Sequence, residues 1–177
     1  MKKWMKIIFT GLLVLTMTGC GKKGNVVTAK DGYAEGSIGD TMSTAWFTFK
    51  INSAKLADDY KGTVQADDGM KLAVVNVTLT NTFEEDIPMY DSDFQIQWGE
   101  GEDDYDFPVT LEEPSLWTEG MLEESYELPV KKSVTGDLVF AVPEGIHDFL
   151  LAFMEYYDTE DEDSEEGDVF FIGFQAE

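Results

Sequence analysis

Alternation with a period of two is the feature that most limits what this chain can fold into. In "WFTFKINSA", Phe47, Phe49 and Ile51 alternate with Thr48, Lys50 and Asn52. In "LAVVNVTLTN", Ala73, Val75, Val77 and Leu79 share one face, and Asn76, Thr78 and Thr80 share the other. "FQIQW" sets Phe94, Ile96 and Trp98 against Gln95 and Gln97, and "VTGDLVFAV" groups Val134, Leu138, Phe140 and Val142. "FLLAFMEYY" follows with Phe149, Leu151 and Phe153 on one face, and "DVFFIGF" closes the chain as an aromatic strand. One apolar and one polar face mark antiparallel sheets packed on one side. β-branched and aromatic residues, which suit a pleated half-buried surface, dominate these runs.

Turn chemistry separates the runs. Asp68-Gly69 precedes one strand, Ile87-Pro88 follows another, and Pro143-Glu144-Gly145 lies between two more. Two weaker strands are expected at Thr41–Ser43 and Tyr105–Val109. The expectation is an all-β, immunoglobulin-like antiparallel β-sandwich of about seven to eight strands. Pro114–Tyr126 reads as irregular or briefly helical, with Ser115 positioned to cap a turn through Leu116 and Trp117. Residues 38–177 form the domain, and Gly21–Ser37, rich in glycine and without a sustained apolar period, reads as a flexible tether within segment 20–37.

The chain begins with a basic stretch holding Lys2, Lys3 and Lys6, then an almost wholly apolar run from Ile7 to Met17. This is the layout of a secretory signal over residues 1–19. The run is about half of the roughly 20 residues a spanning helix needs. Met17-Thr18-Gly19-Cys20 resembles the bacterial lipobox, with Met17 where leucine is usual. The resemblance implies that Cys20, the single cysteine, carries a diacylglyceryl group on its sulfur and becomes the mature N-terminus. Two acyl chains suffice for stable anchoring. With Cys20 used, the mature chain has no thiol for a disulfide, and the fold rests on its apolar core.

Charge narrows the partners. The formal net charge is −24, and loss of Lys2, Lys3 and Lys6 with the signal makes it −27. All twelve basic residues are lysines. Nucleic-acid binding needs a basic footprint to displace counterions from phosphates, so no nucleic-acid partner is expected. An acidic domain is repelled by anionic lipid heads and is expected to stand off the membrane.

Catalytic chemistry finds little support. His147, the single histidine, begins a strand after a Pro-Glu-Gly turn, and no GxSxG elbow occurs; its expected role is structural. A zinc site wants several Cys or His ligands. Carboxylates abound, yet nothing in their spacing selects a catalytic pair. No catalytic residue, cofactor or enzymatic activity is expected. Two acidic clusters, Glu100–Asp106 and Asp158–Asp168, fall between strands and read as solvated loops. Asp158, Glu160, Asp161 and Asp163 are weak candidates for divalent-cation binding, although neither cluster follows the EF-hand order. Among Trp98, Trp117, Tyr156 and Tyr157, Trp117 is the candidate for an exposed interaction patch, because it lies in the irregular segment.

A series of short motifs carries a wider resemblance. "SIGDT" at Ser37–Thr41, "FTFKINSA" at Phe47–Ala54, "KLAVVNVTLTN" at Lys71–Asn81, "DF" at Asp93-Phe94 and "VTGDLVFAVP" at Val134–Pro143 follow in order. The series resembles the immunoglobulin-like domain-of-unknown-function family of Gram-positive bacterial lipoproteins, whose fold is similar to a small mycobacterial secreted antigen. The resemblance implies a fold and a location at the outer face of the cell membrane, and transfers no catalytic residue. The expected function is a lipid-anchored, non-enzymatic binding module whose partner is a cell-surface protein or envelope component. The alternative is divalent-cation binding or a cell-envelope stress role run by the acidic loops.

Overall fold

The computed structural model describes residues 24–158 and 164–177. Among them run β1 (Val26–Thr28), β2 (Tyr33–Ser37), β3 (Thr41–Ser43), β4 (Phe47–Ala57), β5 (Asp59–Tyr60), β6 (Val64–Gln65) and β7 (Met70–Asn81). Then follow β8 (Ile87–Tyr90), β9 (Phe94–Gln97), β10 (Tyr105–Asp106), β11 (Ser125–Leu128), β12 (Ser133–Pro143), β13 (Asp148–Asp158) and β14 (Ser164–Gln175). One five-stranded sheet has the order β1-β3-β4-β7-β12, and the other β10-β9-β13-β14-β2. Two small two-stranded sheets, β8-β11 and the β5-β6 hairpin, accompany them.

The two sheets face each other across the apolar sides that the alternation marks. Phe47, Phe49, Ile51, Ala73, Val75, Val77 and Leu79 from the first sheet are buried against Phe94, Ile96, Phe149, Leu151, Phe153, Phe170 and Ile172 from the second. Phe49 sits at the centre, with ring centroids 5.4 Å from Phe94, 5.9 Å from Phe153 and 6.3 Å from Phe170. Edge-on contacts of this kind add to the burial of each ring. The architecture is therefore a β-sandwich, as the period of two requires.

A second apolar cluster explains one departure from simple alternation. Leu72 and Val74 lie on the face of β7 that carries Asn76 and Thr78, yet both are buried. The β5-β6 hairpin lays Tyr60 and Val64 over them, and Met121 completes the cover together with Val139. Further along, the same face is polar. Asn52 donates to Asn76 and Thr78, Asn76 donates to Asp137 at 2.6 Å, and the Tyr60 hydroxyl donates to Asp137 at 2.8 Å.

The segment read as a tether is part of the sandwich. β1 pairs in parallel with β3, and β2 pairs in parallel with β14, so the strands of this segment serve one sheet each. Both stand at the same lateral edge, where they touch each other. The turn between them uses Asp31 and Gly32 at positive φ, a conformation glycine adopts freely. Ala34 is buried beneath β2. The physical reason is that these are short edge strands. Besides their backbone pairing, Val27, Ala29 and Ala34 turn onto the core, too few residues to leave a long alternation. The sandwich therefore takes in strands ahead of Ile38, and its sheets carry two parallel pairs beside the antiparallel ones.

Ser115 does not cap a turn. A 3-10 turn spans Pro114–Leu116, its leading residue is Glu113, and no side chain caps it. Proline fixes the first position instead, and the Ser115 hydroxyl donates to Glu113 at 3.1 Å.

Candidate functional site

The segment between β10 and β11 crosses the free edge of β12. Met121 forms a bridge with Asp137, the Leu122 N–H donates to the Asp137 carbonyl at 3.0 Å, and the Asp137 N–H donates to the Gly120 carbonyl at 2.8 Å. Pro108 bridges Phe140 on the same edge. Leu122 enters the main core and Met121 the outer cluster, against which Leu116 also packs. Trp117 lies between these anchors and stays 42% exposed. Its N–H donates to the Pro114 carbonyl at 3.1 Å. The segment thus fixes its backbone with smaller apolar side chains and leaves its largest one outward.

Beside Trp117 lies a shallow groove of about 320 Å³, lined by Pro114, Trp117, Glu123, Glu124 and Ser125. The charged side chains lining it are the carboxylates of Glu123 and Glu124. The Lys61 ammonium approaches this segment and donates to the Glu119 carbonyl. An aromatic face flanked by carboxylates suits a cationic or amphipathic group.

Behind the groove lies a buried carboxyl. Asp91 is 1% exposed, and its Oδ2 accepts from the buried Thr110 hydroxyl. The Asp91 N–H donates to the Glu124 carbonyl at 3.3 Å. Among the described residues, Asp91 Oδ1 and the Tyr126 hydroxyl have no hydrogen-bond partner. Burial pushes the Asp91 pKa up to about 6; the Thr110 and Ser92 hydrogen bonds oppose the rise, and Glu124 and Asp93 add to it. Burial also raises Tyr126. Sequence reasoning misses Asp91, and the one available signal is an aspartate directly after the alternating "IPMY" strand.

Trp98 is half-buried against the main core. Tyr156 and Tyr157 are 45% and 40% exposed at the far end of β13. The Tyr157 hydroxyl donates to Glu155 at 2.7 Å, and its ring lies tilted with its centroid 5.0 Å from that of Trp46. Glu155 continues the inward face of β13, is buried, and accepts the Ala45 N–H at 2.7 Å. His147 Nδ1 lies 3.0 Å from the Ala176 carbonyl, while the Ala176 N–H donates to the His147 carbonyl. A carbonyl only accepts, so Nδ1 carries the proton, and the ring pins the C-terminal strand.

In the Glu100–Asp106 cluster, Asp104 accepts the Gly101 N–H at 2.7 Å as a turn former, and burial raises the Asp106 pKa. No group of three or more His, Cys, Asp or Glu among the described residues is arranged to hold a metal ion. Glu160, Asp161 and Asp163, Cys20 and the segment 1–19 lie outside the described residues, as does the Asp158 side chain. Also among the described residues, no helix is long and apolar enough to cross a membrane.

A β-sandwich with a groove on one lateral edge is the class these observations define. The family model described as "Domain of unknown function (DUF4352)" matches residues 36–163, and the chain belongs to that family. Two solved structures share the fold. The ycdA protein of Bacillus subtilis, described as a "putative lipoprotein", is 22% identical with a TM-score of 0.52, over 75% of this chain and 38% of that one. The yjhA protein of Bacillus subtilis is 18% identical with a TM-score of 0.53, over 80% of this chain and 99% of that one. The present chain thus spans well under half the length of ycdA. No curated protein sequence matches.

Proposed function

We propose that the chain is a lipid-anchored, extracytoplasmic binding module that does no chemistry of its own and engages a protein or envelope component through the Trp117 groove. The anchor reading rests on Met17-Thr18-Gly19-Cys20 behind a basic and apolar leader. A structural neighbour described as a "putative lipoprotein" is consistent with it. The binding reading is carried by Trp117, held outward with Leu111 on a segment whose Leu116, Met121 and Leu122 pack inward. Exposed aromatic anchors are enriched at interface cores. Glu123 and Glu124 beside the ring favour a partner that brings a lysine or arginine side chain.

The test is capture from intact cell envelopes by the soluble domain, compared with Trp117→Ala and with Glu123→Lys/Glu124→Lys. A partner retained by the native domain should be lost with either variant and weakened by salt. Capture unaffected by both variants would contradict the groove.

A further inference from the structure

Asp91 holds both ends of the segment that displays Trp117. It opens the 3-10 turn Asp91–Asp93 at the end of β8 and is itself buried. Its Oδ2 accepts from Thr110, which is buried in the 3-10 turn Val109–Leu111. Its backbone N–H donates to the Glu124 carbonyl at 3.3 Å, one position beyond the Tyr90–Ser125 pair of the β8-β11 ladder. Between these two contacts runs most of the groove wall. The Glu113 N–H donates to the Val109 carbonyl at 3.2 Å, the Pro114–Leu116 turn follows, and Trp117 stands directly after it.

The hold is incomplete. Among the described residues, Asp91 Oδ1 has no hydrogen-bond partner, and neither has the hydroxyl of Tyr126, which sits opposite Met89 in the same two-stranded ladder. A neutral carboxyl tolerates such a place. An ionised one leaves a buried charge with an unpaired oxygen, which is far more costly. The charged groups that act on Asp91 add to this cost: Asp93 on its own turn and Glu124 across the ladder are both acidic. Asp93 accepts the Tyr90 N–H at 2.9 Å. Tyr126 is the other titratable neighbour, and burial raises its phenol, so that it stays neutral. Ionisation of Asp91 is relieved when the segment lifts and water reaches Oδ1.

We infer that Asp91 is a pH-responsive latch on the Trp117 groove: neutral, it clamps Thr110 and Glu124 and sets the groove wall; ionised, it lets the segment open. This rests on the groove reading. Asp91 is a positioning residue, acting on the partner only through the segment it holds. Mild acid preorganises the groove, and a preorganised surface binds more tightly. The window lies between the ordinary carboxyl value of 3.8 and about 6, with opening favoured increasingly as pH rises through it.

Hydrogen exchange in the full chain, solubilised in detergent, reads the latch without any partner. The amides of residues 110–124 are compared between the native chain and Asp91→Asn at pH 5 and at pH 7.5, at equal pH so that intrinsic exchange cancels. Opening of the segment relative to the Asn variant should rise about tenfold from pH 5 to pH 7.5, as a carboxyl that moves from about 6 to 3.8 on opening requires. It should run well ahead of exchange in β7, which marks the opening as local. Thr110→Val keeps Asp91 and removes a hydrogen bond that holds its pKa down. The pH at which the segment loosens should therefore move upward, a shift that lost packing alone would not produce. An equal pH response in the native and Asn chains, segment exchange no faster than that of β7, or an unmoved midpoint in Thr110→Val would overturn the latch. A working latch beside envelope capture indifferent to Trp117→Ala would overturn the groove reading instead.

Discussion

The Asn25 N–H donates to one carboxylate oxygen of Asp40 at 2.8 Å, and the Ser37 N–H donates to the other at 3.0 Å. One side chain thereby ties the start of β1 to the end of β2. Asp40→Ala should lower stability by about 1.5–3 kcal/mol, the usual scale for hydrogen bonds to a charged group. The loss should be local, with hydrogen exchange quickened at Val26–Thr28 and little changed in β7. Uniform loosening of both strands would mean that Asp40 serves the whole fold rather than this edge.

Val77 is fully buried on the inner face of β7, and Thr78 is half-exposed on the outer face. Val77→Asp should unfold the domain, because it removes about 2 kcal/mol of apolar burial and adds an unpaired buried charge. Thr78→Asp should cost about 1 kcal/mol, chiefly through the lost hydrogen bonds to Asn52 and Thr135. Similar melting points for the two variants would refute the assignment of faces.

Asp91 gives the fold a pH dependence with a definite sign. Its folded pKa of about 6 lies above the ordinary carboxyl value of 3.8, so between these values the folded state binds more protons than the unfolded one. Its contribution to stability therefore falls as pH rises through this window and is lowest above pH 6. Asp91→Asn should raise stability at pH 7.5 by about 1 kcal/mol and flatten the pH profile between roughly pH 4 and 6 relative to the native chain. The comparison cancels the general relief of repulsion that acid brings to so acidic a molecule. Parallel profiles for the two proteins would place the Asp91 pKa near its ordinary value.

Glu155 and Tyr157 offer a spectroscopic check on the far end of β13. The hydrogen bond to Glu155, then burial, then the nearby charges of Glu155 and Asp168 push the Tyr157 phenol up to about 12. Glu155→Gln should bring one tyrosine's titration, followed by ultraviolet absorbance, back toward the ordinary value of 10. The same change keeps an acceptor for the Ala45 N–H, so the fold should survive it. An unchanged titration curve would mean that Glu155 does not hold the Tyr157 proton.

Much of the sandwich is legible in the sequence, because its central strands are long and wet on one side. Phe47-Phe49-Ile51 and Val75-Val77-Leu79 alternate cleanly and pack as that alternation demands. Legibility ends where burial comes from elsewhere. Leu72 and Val74 are covered by Tyr60, Val64 and Met121, contacts that no local period encodes. β1 and β2 are held by parallel backbone pairing to β3 and β14, and backbone pairing leaves no residue pattern. Trp117 is identifiable because it stands in a segment without a period; Asp91 is not, since burial of a carboxyl depends on the three-dimensional neighbours Thr110 and Glu124.

Anchoring is tested most directly at the mature N-terminus. Protein extracted from membranes with detergent is measured by intact mass and N-terminal fragmentation, beside a Cys20→Ser variant. The expected result is a chain beginning at Cys20 with a diacylglyceryl group on its sulfur, and a variant that no longer partitions into detergent. A mature chain that begins elsewhere, or one with a free thiol at Cys20, would contradict a lipid-anchored module.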